Sequence, residues 1–180
     1  MKQIGLVFFL LLLFQASAFT QTDTVEVNRN VISLFPTKAT RINGFCFSLS
    51  HNKPRTINGL NIEFPGARFT EYWIYMLSRN IYPERFSTIN GMTITFNPIY
   101  NKVNGLGIIL FVSEIYEFNG VVIGAFNGVK EMKGLQIGLF NSASDGKVVQ
   151  IGLMNRIESN PKPFKELPLI NMRLKKTKQD

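Results

Sequence analysis

The chain has 180 residues, 45% of them apolar and 18% charged, with a formal net charge of +8. That length suits one domain, and that apolar share suits an ordered core better than a disordered chain. A single cysteine, Cys46, excludes an intramolecular disulfide framework, and a single histidine, His51, excludes multi-histidine metal sites and two-histidine relays.

Residues 1–18 read as a secretory signal peptide. Lys2 supplies a short positive start, Ile4 to Phe14 is an unbroken apolar run, and Ala16-Ser17-Ala18 makes a small-x-small cleavage site. The run is too short to span a bilayer, which needs about 20 apolar residues. No cysteine follows the cleavage site, so lipid anchoring there is not expected. Cleavage would leave residues 19–180 with 19 Lys+Arg, Lys2 being lost from 20, against 12 Asp+Glu. A basic balance can mean nucleic acid, but the leader and the lack of any basic helix argue against that partner. Much of the excess is near the C-terminus. A basic tail over residues 175–180 suits either anionic lipid or simple solubility.

Residues 19–42 read as a leader with a possible edge strand, Val31 to Phe35, stopped by Pro36. A single repeat-built domain then covers residues 43–174. Asn-Gly pairs stand at Asn43-Gly44, Asn58-Gly59, Asn90-Gly91, Asn104-Gly105 and Asn119-Gly120, and the unit continues at Lys133 and Lys147. The copies are plainest in N-G-V-V-I-G-A-F-N (119–127), K-G-L-Q-I-G-L-F-N (133–141) and K-V-V-Q-I-G-L-M-N (147–155). Such a fixed period is the mark of a repeat architecture. The wide step between Asn58 and Asn90 leaves room for a degenerate copy around Tyr72 to Ser78, which would make eight units. Asn-Gly tolerates positive φ, so each pair is expected to be the corner that starts a strand.

Each unit alternates with period two, the strand signal. One face is apolar throughout, from Phe45, Phe47 and Leu49 to Leu135, Ile137 and Leu139 and then Val149, Ile151 and Leu153. The other is small or polar: Ser48, Asn61, Thr93 and Thr95 early, then Gly124, Gly138 and Gly152 beside Gln136 and Gln150. Cys46, between Phe45 and Phe47, reads as a small strand residue. The fold class is therefore all-β.

The Asn-Gly-Leu/Val-x-Ile-Gly-x-Phe-Asn unit resembles the repeat of a bacterial surface-repeat family of secreted, largely uncharacterised proteins. The residues that carry it are Asn104 to Ile108 and the three copies above, and Leu167-Pro168-Leu169-Ile170-Asn171 resembles a closing segment of such repeats. Met172 departs where relatives carry an aromatic. The resemblance implies an envelope or surface location and no established activity, and it transfers no catalytic residue.

The preferred closure is an antiparallel meander of about eight short strands forming a small barrel. Mid-strand glycines have a packing reason inside a narrow barrel, and apolar-out with small-polar-in is the outer-membrane pattern. Ile170, Met172 and Leu174 would add a terminal strand to the apolar face. Tyr72, Trp73, Tyr75, Tyr82, Tyr100 and Tyr116 would sit in an interfacial girdle. The alternative is a two-sided β-solenoid, because every unit has the same polarity and Asn127, Asn141 and Asn155 would then stack as a ladder. A coil of one unit looks too narrow to hold Leu and Ile inside, so that alternative is expected to place two units in each coil. A soluble sandwich or half-barrel is the remaining possibility.

Chemistry-bearing constellations are few. Ser48, Ser50 and His51 with Glu63 or Glu71 could assemble a hydrolase triad, but no nucleophile elbow supports it. Ser50 to Pro54 reads as a polar turn. Glu114 and Glu117 read as solvated, with no second acidic cluster for Ca²⁺. No catalytic, cofactor-binding or metal residue is assigned, and no cofactor is expected. The expected function is a non-enzymatic structural or interaction protein of the bacterial envelope, exported to the outer membrane or cell surface, with the periplasm as alternative. Its expected partner is outer-membrane lipid or another envelope protein. The competing function is a binding module that encloses a small apolar ligand or lipid, with the Leu/Ile/Phe face turned inward.

Overall fold

A computed structural model describes residues 27–35, 39–48, 55–64, 87–96 and 99–175, and within them every regular element is a strand. One sheet holds, in chain order, β1 (Asn28–Leu34), β2 (Arg41–Ser48), β3 (Thr56–Glu63), β4 (Thr88–Thr95), β5 (Ile99–Ile137), β6 (Phe140–Ile157) and β7 (Glu166–Arg173). The pairings from β1 through β6 are parallel, and like stands on like: Asn43 beside Asn58, Asn58 beside Asn90, Asn90 beside Asn104. Within the 39-residue β5 the stack continues, with Gly120 over the carbonyl of Gly105 and Gly134 over that of Gly120. This is a β-solenoid with one repeat unit per turn.

Two expectations are thereby corrected. A meander closing as a barrel reverses direction at every neighbour, and here only β7 runs antiparallel. A coil of two units is not formed either. One unit suffices because the Leu/Ile/Phe face does not go inside. The interior takes the residue before each Asn-Gly, namely Ile42, Ile57, Ile89, Val103 and Phe118, together with Ile115, Val129, Ala143 and Ile157 and small or polar residues such as Cys46, Asn61, Thr93, Gln136 and Gln150. Where Phe118 is large its neighbour is small: a Cβ on Gly107 would lie 2.9 Å from the Phe118 ring.

The Asn-Gly pairs lie within strands, so they are not hairpin turns. Their glycines, Gly44 to Gly134, hold φ between 118° and 136° with the previous rung's carbonyl directly underneath. Any Cβ there is doubly penalised, by sterics and by backbone conformation. Asn58 and Asn90 are adjacent in register. The suggested degenerate copy, Tyr72 to Ser78, lies outside the described residues, as do residues 1–18 and 176–180.

The stack has two different ends. β1 is the edge strand expected at Val31 to Phe35, beginning earlier, at Asn28. At the other end the antiparallel β7 breaks the like-on-like repeat. There buried Asn171 donates to the Asn155 carbonyl at 3.1 Å, and Arg173 donates to the Ser159 carbonyl at 2.9 Å and pairs with Asp145 at 3.2 Å.

Candidate docking face

Outward positions on one side of the solenoid form columns without a polar side chain. One column runs Phe45, Leu60, Met92, Leu106, Val121, Leu135 and Val149, and the next runs Phe47, Ile62, Ile94, Ile108, Ile123, Ile137 and Ile151. A third contains Phe64, Phe96, Leu110, Ala125, Leu139 and Leu153. β7 extends the face, pairing Ile170 with Ile151 and Met172 with Val149. Along one rim phenyl rings meet, Phe111 edge-on to Phe126 at 6.1 Å and Phe126 stacked on Phe140 at 5.2 Å between centroids. Leu139 is 47% exposed and Leu153 61%, while Gln136 and Gln150 on the opposite side of the same strands are 0% exposed. With rungs about 4.8 Å apart, the face is roughly 35 Å long and 20 Å wide, on the order of 700 Å². The largest apolar patch on an ordinary monomer is roughly 300–600 Å², and larger ones mark contact sites.

The other side of the coil is charged. Glu117 accepts from Lys102 at 3.0 Å and lies 3.9 Å from Lys133, and Lys130 sits 4.6 Å above the Tyr116 ring. Hydrogen bonds from Asn119 and Lys102 hold the Glu117 carboxyl below its ordinary range. This face was missed as a unit, since its residues read as mere connections. The signal was present, because the charges of units 111–118 and 127–133 fall between the apolar runs.

Polar side chains are paired along the stack, in one part-exposed ladder and in others that are buried. Asn43, Asn58, Asn90, Asn104 and Asn119 each donate Nδ2 to Oδ1 of the previous rung, at 2.6 to 2.9 Å. A second ladder runs the other way: Asn127 donates to Asn141 at 2.9 Å, and Asn141 to Asn155 at 2.8 Å. Gln150 donates to Gln136 at 2.7 Å. In the first half of the stack Tyr100 donates its hydroxyl to Glu63 at 2.7 Å and accepts from Asn61 at 3.0 Å. Burial, then the Glu63 charge, pushes the Tyr100 hydroxyl well above its ordinary range. Burial likewise pushes the Cys46 thiol up to about 11. Cys46 is inside and small, as its place between Phe45 and Phe47 indicated.

The residues of the suggested triad are not brought together. Ser48 is buried in the coil, Glu63 holds Tyr100, and Ser50, His51 and Glu71 lie outside the described residues. The aromatic girdle is corrected at two positions, because Tyr100 is buried and Tyr116 lies on the charged face; Tyr72, Trp73, Tyr75 and Tyr82 are outside the described residues. Among the described residues no cluster of His, Cys, Asp or Glu is arranged to hold a metal. Comparison with protein-family models, curated proteins and solved structures finds no match.

Proposed function

We propose that this is a non-enzymatic repeat protein of the bacterial envelope, a structural or interaction protein associated with the outer membrane. The amphipathic section of the solenoid carries this reading: one side is a set of apolar columns, half-buried to exposed, with Leu110, Ile123, Leu139, Ile151 and Leu153 exposed, and the other carries ion-paired charge. The leader pattern and the resemblance to surface-repeat proteins support the location. A carrier for an apolar ligand would need the Leu/Ile/Phe face inside, and that face points out, which favours contact over enclosure. The partner is outer-membrane lipid or another envelope protein, and not nucleic acid. Fractionation of exporting cells tests the reading. Recovery with the outer membrane is expected, and recovery as a free soluble monomer contradicts it.

A further inference from the structure

We propose that the apolar face seats on one leaflet of a lipid membrane bearing anionic headgroups, with the solenoid lying flat and not spanning. This rests on the contact-face reading above and names its partner.

Composition decides between a lipid and a protein partner. Non-obligate protein interfaces are roughly 57% apolar and homodimer interfaces roughly 65%, with polar groups pairing across them. The three columns from β2 to β6 offer no side-chain donor or acceptor at all, which suits hydrocarbon. Size does not discriminate, since the face approaches the roughly 800 Å² per partner of a standard protein interface. Charge does. Lys133 and Lys147 stand two residues before Leu135 and Val149 on the border of the face, and the exposed Lys175 follows the β7 end at Leu174. With 19 Lys+Arg against 12 Asp+Glu once the leader is removed, two copies repel, whereas an anionic surface attracts basic groups beside an embedded apolar patch.

The body cannot span. The Lys102–Glu117 pair and Lys130 over the Tyr116 ring lie off the apolar columns, and charges of this kind are costly in hydrocarbon. The interior is filled by the Gln136–Gln150 pair and the Asn127–Asn141–Asn155 ladder. Only one surface is therefore fit to meet acyl chains.

The test is flotation of the full chain, recovered after export, with vesicles of equimolar phosphatidylethanolamine and phosphatidylglycerol. Co-flotation is expected, with at least about tenfold weaker partition for Leu139→Glu/Leu153→Glu and for wild type on pure phosphatidylcholine. Lys130→Ser, on the charged face, should float as wild type. Continued protection of the Cys46 thiol in each variant shows that it is folded. Absence of flotation, or flotation untouched by the double substitution, overturns the proposal. A dimer in lipid-free buffer that dissociates in the double variant, without vesicle binding, overturns it in favour of a second copy and leaves the contact-face reading standing. A folded monomer that ignores vesicles and leaves this face open to water defeats both.

Discussion

At the scale of single residues the repeat is held by what each position excludes. Gly138 shows this best. A Cβ there would press on the Gly124 carbonyl oxygen, with Asn127 Nδ2 at 2.5 Å and Asn141 Oδ1 at 3.0 Å. Backbone cannot yield as a flexible side chain can, so Gly138→Ala should cost about 3 kcal/mol or more. Ser142→Ala nearby should stay within about 0.5 kcal/mol; denaturant midpoints of the two variants provide the check. Asn141 is the second such position. It accepts from Asn127 and donates to Asn155 and to the Ile151 carbonyl. Asn141→Ala strands buried partners on both sides, and a loss of roughly 3 kcal/mol is expected. The crowding at Gly138 and the Asn ladder were both legible in the sequence, the first from glycines placed mid-strand and the second from equal spacing.

Strands and their pairing carry the next level. The β4–β5 register places Lys102 where Glu117 reaches it one turn later, and Asn119 closes the group. A carboxyl held below its ordinary range contributes stability above the unfolded value, near 4.3, and loses it as pH falls through the lower folded value. Glu117→Gln should therefore flatten the acid limb of a stability-against-pH curve and change little at neutral pH. An unaltered acid limb would show that the pairing contributes nothing. Period-two alternation made the strands and both faces readable. Their direction was not, because alternation is the same for parallel and antiparallel neighbours. The inference of two units per coil failed on volume: it assumed that the Leu/Ile/Phe face lies inside, whereas the interior takes Ile57 and Ile89 with small or polar residues such as Asn61 and Thr93.

For the whole molecule, the result is a solenoid with an apolar and a charged side, ended by an antiparallel strand. Apolar-out with small-polar-in was read correctly from the units, but it was joined to the wrong closure. The charged cluster was hidden because Lys102, Glu117 and Lys133 lie on different turns and meet only once the coil is formed. Three single-cysteine variants in a Cys46→Ser background test this arrangement most directly: Leu139→Cys, Gln136→Cys and Ser144→Cys, each probed on vesicles with a lipid-borne quencher and a water-borne thiol reagent. The solenoid seated by its apolar face predicts lipid quenching at 139 alone, aqueous reaction at 144 alone, and neither at 136. Aqueous reaction at 136 with lipid quenching at 139 would restore a water-filled barrel, and equal behaviour at 139 and 144 would contradict the one-sided molecule altogether.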